Sequence, residues 1–252
     1  MLAFLFNQID DPADGPMNMG LDQAIAESVD RGETSSVCLR LYCWKQPTLS
    51  LGYFQEHQSR QGHVASSTLP FVRRNSGGGA IIHDQELTYS LSMLSNKAYR
   101  GADRDVYLKV HQAIRSAISD LSGIKLVRFA DSGLKPLFDD KTFLCFERRT
   151  DEDLLLSGYK IVGSAQRRVG GALLQHGSIL LQTSRFAPSL PGLSCLSGCG
   201  VDKRILGEML CEHIGKSLAV KLVATQVSPS TLTRAEHWAQ ERFANQSWNF
   251  RR

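Results

Sequence analysis

The sequence predicts an α+β fold, with mixed, largely antiparallel sheets packed with helices. Three observations lead there. Strand-like and helix-like segments are grouped along the chain and do not strictly alternate, as a doubly wound parallel sheet would require. Two-residue connections, Ser157-Gly158 and Gly170-Gly171, join apolar runs, and such connections make hairpins. Two long stretches carry apolar residues at helical spacing. The 252 residues show no internal repeat and no low-complexity linker, and a single domain over residues 1–252 is expected.

In order, Leu2 to Phe6 opens a first strand. Asn18 to Arg31 reads as a helix, because Leu21, Ile25 and Val29 recur at four-residue steps and Gly32 is a fitting stop. Val37 to Trp44 alternates, with Val37, Leu39, Leu41 and Cys43 on one face. Arg40 and Trp44 share the other face, as a pocket wall or a polar surface. Pro47 breaks the run and Thr48 to Phe54 resumes it. Arg73 to Leu91 supplies two strands around a glycine turn. Val106, Val110, Ile114, Ala117, Ile118 and Leu121 make Asp105 to Leu121 a helix ended by Gly123. Ile124 to Phe129 reads as a short strand and Asp131 to Thr142 as a loop with an acidic pair. Asp153–Leu156, Tyr159–Arg167 and Ala172–Leu181 should form an antiparallel meander. Phe186 to Gly200, rich in Ser, Pro and Gly, reads as a mobile loop. Ile205 to Leu218 is a helix with Ile205, Met209 and Ile214 facing the core, and Thr231 to Asn245 is the last helix.

Composition excludes several classes. The hydrophobic fraction of 42% is ordinary for a globular chain. No apolar run approaches the roughly 20 residues that span a bilayer, so no membrane association is expected. The first residues lack a basic region ahead of their short apolar run, so they read as a strand and not a signal peptide, and a cytoplasmic location is expected. The net charge of +4 is spread along the chain and argues no nucleic-acid partner. The six cysteines should be mostly reduced. Cys195, Cys199, Cys211 and His213 fit no standard zinc spacing, so no metal site is expected.

Phe71 to Leu91, FVRRNSGGGAIIHDQELTYSL, organises the chemistry. Arg73 and Arg74 precede Ser76, then Gly77, Gly78 and Gly79, then the apolar Ala80, Ile81 and Ile82, then His83. Glycine allows φ > 0 and close approach of a ligand to the main chain. Successive N–H groups can nest an anion, and arginines add charge-assisted hydrogen bonds. A flexible hairpin with a solvated basic face explains the same residues. The pattern is neither the dinucleotide fingerprint nor the phosphate-binding loop.

Cys145 to Leu181 is the second informative block. Lys160 opens a strand followed by the small residues Gly163, Ser164 and Ala165, which leave room beside the backbone. An ammonium there can answer a developing oxyanion or favour the thiolate of a nearby cysteine. Cys145, fifteen residues earlier, is either a buried small hydrophobe or a nucleophile forming a thioester. His83 and His176, the latter followed by Gly177, are each a general-base candidate or a histidine satisfied by the backbone.

RRNSGGGAIIHD, KIVGSAQRR and LLQHGSILL, in this order, resemble the three signature segments of the biotin/lipoate protein ligase superfamily. Within it the chain is similar to lipoate–protein ligases and to cysteine-dependent octanoyltransferases. The resemblance covers nearly the whole chain. It implies a catalytic domain of the biotin–protein ligase type, related to class II aminoacyl-tRNA synthetases. It also implies that an acyl group is joined to a lysine of an acidic carrier domain. Arg74 and the Gly79–Ile82 run match the segment that holds the acyl-adenylate or acyl group, and Lys160 matches the lysine at the acyl carbonyl.

A cysteine followed by phenylalanine, fifteen residues before that lysine, resembles the octanoyltransferase branch, as do HDQELTYS and the chain's end at WNFRR without the ligases' accessory C-terminal domain. SGGGA and the short loop before Cys145 resemble the ligases. The branch implies Cys145 and Lys160 as catalytic residues and no cofactor. The partners implied are acyl carrier protein and the lipoyl domains of 2-oxoacid dehydrogenases or the glycine cleavage H protein. Arg73 and Arg74 would serve carrier or ligand phosphates, and a monomer is expected. The ligase alternative implies ATP and magnesium, with Cys145 a bystander. A non-catalytic acyl- or carrier-binding paralogue is the third reading.

Overall fold

The computed structural model of the protein describes residues 1–95, 102–136 and 142–252. Its elements, in chain order, are β1 (Leu2–Ala13), α1 (Gly15–Asp30), β2 (Val37–Trp44), β3 (Thr48–Leu51), β4 (Phe71–Arg73), β5 (Ile81–His83) and β6 (Glu86–Leu94). Then come α2 (Ala102–Ser122), β7 (Val127–Arg128), α3 (Phe129–Ser132), β8 (Leu154–Leu156), β9 (Tyr159–Val169) and β10 (Ala172–Leu180). The chain finishes with α4 (Leu193–Ser197), α5 (Lys203–Ser217), β11 (Lys221–Ala224), α6 (Pro229–Trp238) and α7 (Gln246–Asn249). The acidic pair of the loop expected over 131–142, Asp139-Asp140, lies outside the described residues.

Eight strands form one sheet in the order β11-β1-β2-β6-β10-β9-β8-β7, and β4-β3-β5 form a second, smaller one. The expected meander is present: β8, β9 and β10 pair antiparallel in sequence, and β6 adds to β10. Only β11-β1-β2 are parallel in the large sheet. The architecture is the mixed, largely antiparallel α+β one that the grouping of elements predicts. β11 has no counterpart in the sequence reading, because its four residues are mostly exposed and carry no alternating signal.

Helices cover both faces. Leu39, Leu41, Leu87 and Leu91 pack with Val110, Ile114 and Ile118 of α2 and Leu206, Leu210 and Ile214 of α5. The opposite face meets α1, which itself packs on α6 through Leu21, Ala24 and Ala235. Every residue of β2 is therefore buried. Arg40 is neither a pocket wall nor a polar surface: it lies beneath α1, paired to Asp22 at 2.8 Å.

Other differences are local. α1 starts at Gly15, ahead of Asn18, because the Asp14 carboxylate accepts from the Met17 amide and Pro16 sits in the first turn. In α5 the buried stripe is Leu206, Leu210 and Ile214, while Ile205 is exposed. The stretch expected to be a mobile loop, Phe186 to Gly200, contains α4 and buries Ala187, Leu190 and Leu193. Its prolines and glycines shape a packed connection. The last helix breaks at a π turn, Ala239–Phe243, so that α7 can return to β4.

Candidate active site

A cavity of about 270 Å³ opens between the large sheet and the small one. β9 supplies Lys160, Gly163, Ser164 and Ala165, and β10 supplies His176 and Gly177. The segment from β4 to β5 supplies Arg74, Gly77, Gly78, Ile81 and His83. One turn of 3-10 helix, Cys145–Glu147, brings Cys145 and Phe146. Three sequence-distant segments thus meet at one opening.

Main-chain bonds hold the cysteine turn against the glycine turn. The Cys145 amide donates to the Ala80 carbonyl at 2.7 Å, and the Ala80 amide to Phe143 at 3.0 Å. A Cβ on Gly79 would sit 2.9 Å from the Cys145 nitrogen, so a side chain there would push the two turns apart. Gly78 has φ +94°, in the left-handed region, and a Cβ on it would face the Cys145 Sγ at 3.5 Å.

Lys160 Nζ lies 3.9 Å from Cys145 Sγ and 3.4 Å from the Cys145 carbonyl oxygen. The lysine is buried, and its counter-charge is Asp153, equally buried, with Oδ2 2.9 Å from Nζ. The β8–β9 hairpin makes this meeting. Its turn is Ser157-Gly158, both at positive φ. A register shift between Leu154 and Leu155 inserts one extra residue opposite β8. Lys160 and Gly163, three apart, therefore share a face. A Cβ on Gly163 would reach within 2.9 Å of Nζ and collide with Cε, so the missing side chain is the space in which the lysine lies.

Ser164 anchors the deep side. Its Oγ is 2.7 Å from His111 Nε2 and 2.6 Å from the Tyr89 hydroxyl, while Tyr107 donates to its carbonyl at 3.0 Å. His111 Nδ1 lies 2.7 Å from the Glu152 carbonyl, which can only accept. The proton of the neutral ring is therefore on Nδ1, and Nε2 accepts from the Ser164 hydroxyl. Burial pushes His111 down to about 4, so it is neutral at pH 7, and burial pushes the Tyr89 phenol up to about 12.

Each histidine on the cavity wall is braced by a buried carboxylate. His83 Nδ1 is 2.5 Å from Glu86 Oε1, its Nε2 is 2.8 Å from Ser50 Oγ, and its ring stacks on Trp44 at 3.8 Å. His176 Nε2 meets Ser76 Oγ at 2.5 Å, and Nδ1 faces Asp22 at 3.4 Å. Burial works to raise the Asp22 carboxyl. Hydrogen bonding and charge from His176 and Arg40 outweigh it and hold the group below the usual range.

The arginines differ from the expected anion cradle. Arg73 points away from the cavity and donates to the carbonyls of Gly52, Gln55 and Asn249. Arg74 reaches the cavity, but its Nη2 donates to the carbonyls of Gly77 and Gly79 at 2.8 and 2.7 Å, and its Nη1 to Ser50. Burial lowers this guanidinium to about 10, still charged at neutral pH. The glycine turn thus gathers its oxygens on a buried cation. Gly79, Ala80 and Ile82 lie behind the wall, and Ser76 reaches it only through His176.

Sequence reasoning missed Asp153, His111, Tyr89, Tyr107 and the bracing carboxylates Asp22 and Glu86. Asp153 was within reach, because a two-residue hairpin turn folds 153 back toward 160–163. His111 gave no signal, being fifty-three residues from its partner Ser164. Among the described residues, no group of three His, Cys, Asp or Glu side chains is arranged to hold a metal ion, and no helix is long and apolar enough to cross a membrane.

The fold is that of lipoate protein ligases. The whole chain is similar to the bipartite lipoate protein ligase of Thermoplasma acidophilum, with TM-score 0.74, 18% identity, and 99% of this chain and 95% of that one covered. At that identity the likeness is one of fold. The chain belongs to the lipoyl protein ligase A/B catalytic domain family, whose model matches residues 14–195. Octanoyltransferase LipM of Kyrpidia tusciae is 30% identical over 93% of this chain and 94% of its own length. Octanoyltransferase LipM of Oceanobacillus iheyensis is 39% identical over 71% of this chain, a match spanning 63% of that protein.

Proposed function

We propose that the protein is an octanoyltransferase working through a Cys145 thioester. The observation that carries this is the Cys145 Sγ–Lys160 Nζ approach of 3.9 Å inside a cavity lined by family-signature residues. A neighbouring ammonium favours the thiolate, the nucleophilic form of cysteine. The thiolate attacks the carbonyl of an acyl thioester on acyl carrier protein. The carrier's sulfur leaves and takes up a proton, and the octanoyl group stays on Cys145. A neutral lysine amine of a lipoyl domain, from a 2-oxoacid dehydrogenase or a glycine cleavage H protein, then attacks this thioester. A C–N bond forms, the C–S bond breaks, and the amine proton passes to a base.

Lys160 acts in both steps, because its ammonium faces the oxygen on which negative charge develops. Asp153 positions it. His83 and His176 line the cavity and are the candidates for the base. Gly77, Gly78, Gly163, Ser164, Ala165 and Gly177 form the acyl slot. The reading includes a single catalytic domain, a cytoplasmic location, a monomer, and no requirement for ATP or magnesium.

The test is intact mass measurement after mixing pure protein with octanoyl-acyl carrier protein. An octanoyl adduct on the protein, absent from Cys145→Ala, and octanoyl transfer to a lipoyl domain without ATP are expected. Transfer that survives Cys145→Ala, or that needs ATP and the free acid, would replace this reading with adenylation by a ligase. A protein that binds the acyl donor but gains no covalent mass and transfers nothing would be a binding paralogue.

A further inference from the structure

Arg73 and Arg74, the sequence's candidates for binding carrier phosphates, are taken up by main-chain oxygens. A different set of cations stands free beside the cavity. Arg167, Arg242, Arg251 and Arg252 come from β9, the π turn and the C-terminus and converge on Tyr53, Phe54 and Trp248. Arg251 Cζ lies 4.2 Å from the Tyr53 ring and 4.6 Å from that of Trp248. Arg167 lies 5.2 Å from Tyr53, Arg242 4.9 Å from Trp248 and Arg252 5.4 Å from Phe54. Among the described residues, none of the four pairs with a carboxylate within 4 Å. Arg251 donates to the Tyr53 hydroxyl at 2.8 Å, and this bond with the surrounding positive charge lowers the exposed phenol. Glu27 and Asp30 line the same depression, and the Glu27 charge acts on Arg242. There Glu27 accepts from Gln23 and Trp238, and Asp30 from the Gly171 amide.

The patch is contiguous with the cavity. Asn75 lines the depression with Arg167, while Gly77, two residues on, lines the cavity. Gln166 faces the cavity and Arg167 the depression. The Phe54 ring sits 3.8 Å from where a Cβ on Gly77 would lie. Like charges held on aromatic faces, with no direct ion pair and only Glu27 acting on Arg242, are ordered for a multivalent anion, and a guanidinium fork suits phosphate oxygens.

We infer that this arginine–aromatic patch docks the acyl donor, taking the phosphodiester and acidic face of a phosphopantetheine-bearing carrier while the acyl thioester enters the cavity toward Cys145. The inference rests on the thioester reading above. It assigns the patch to the first half-reaction and to a carrier, not to a free acyl thioester.

The test compares Arg167→Glu, Arg251→Glu and the double variant with the native protein. The rate of octanoyl adduct formation on Cys145 is measured with octanoyl-acyl carrier protein, octanoyl-phosphopantetheine and octanoyl-N-acetylcysteamine, the last lacking phosphate and protein. With the carrier, kcat/KM should fall about tenfold or more and lose most of its salt dependence. With phosphopantetheine the fall should be smaller, and with N-acetylcysteamine the rate should stay native, which also shows that the variants fold. An equal fall with all three donors, or no fall with the carrier, would overturn the inference. So would a loss confined to transfer from acylated protein to the lipoyl domain, because that would give the patch to the acceptor. Absence of any adduct on the native protein from every donor would instead remove the thioester reading, and this inference with it.

Discussion

The two walls of the cavity are held by opposite means. On the β9 wall, side chains mostly hold side chains: Asp153 pins the Lys160 ammonium, His111 and Tyr89 bond the Ser164 hydroxyl, and Tyr107 adds a bond to the Ser164 carbonyl. On the facing wall, what is held is main chain. Ala80 and Cys145 exchange strand-like bonds with neighbouring carbonyls, and Arg74 gathers the glycine oxygens. The first wall places charge, and the second fixes shape and the position of one sulfur. A substitution on the β9 wall should alter chemistry in an unchanged cavity. One on the facing wall, the nucleophilic sulfur apart, should alter the cavity itself.

Cys145→Ala gives the largest expected effect and the sharpest test of the second wall's purpose. It removes a half-buried sulfur and nothing that holds the turn. Acyl transfer should fall by about 10³-fold or more with thermal stability nearly native, measured by transfer assay and thermal melt. A transfer rate within tenfold of native would break the division of roles.

Lys160→Met keeps the stem and removes the charge. Transfer should drop about 10²- to 10³-fold, as for loss of a group facing an oxyanion. The variant also leaves Asp153 buried without its cation, which costs about 3–5 kcal/mol. Lys160→Met,Asp153→Leu should recover most of that stability and none of the rate. Recovery of both would mean that the pair serves folding alone.

Arg74→Lys addresses the shape-holding wall. A lysine cannot bond Gly77, Gly79 and Ser50 together as the guanidinium fork does. Loss of charge-assisted bonds worth about 1.5–3 kcal/mol should lower the melting temperature. The rate of Cys145 alkylation by a small reagent should change with it, because the turn against the cysteine loosens. A variant with lowered stability and native alkylation would place Arg74 outside the cavity's architecture.

The effect on activity is smallest at His111, whose consequence falls on the acid limb of stability. His111 is about 4 in the folded protein against 6.5 for an unburied ring, because burial disfavours its charged form. The unfolded chain then binds more protons between these values, so stability is lost as pH falls from about 6.5 to about 4, by up to about 3 kcal/mol. His111→Gln should be less stable at pH 7 yet flatter through this window, as denaturant melts at several pH values would show. An unchanged slope would mean that another buried group carries the limb.

The arginines show how far residue type alone leads. Arg73, Arg74 and Arg167 are equally basic on paper. Burial and main-chain acceptors take up the first two, and only the third remains available on the surface. The same holds for the α5 stripe, displaced by one residue to Leu206 and Leu210. A helical period is visible in sequence, but its phase depends on which face the sheet presents. The turn residues of Phe186–Gly200 do bend the chain, while the burial of Ala187, Leu190 and Leu193 comes from cores formed with distant elements.

By itself the sequence determined the grouped α+β order, the β8–β9–β10 hairpins, both long helices, the three signature segments and the candidate pair Cys145 and Lys160. Each is written in local spacing, turn chemistry or motif. Tertiary structure alone decided that Asp153 neutralises the lysine, that His111 meets Ser164, that Arg74 serves the backbone and that four distant arginines share one rim. Those outcomes depend on which strands become neighbours and on what burial does to a charge, and neither is encoded in any short stretch of chain.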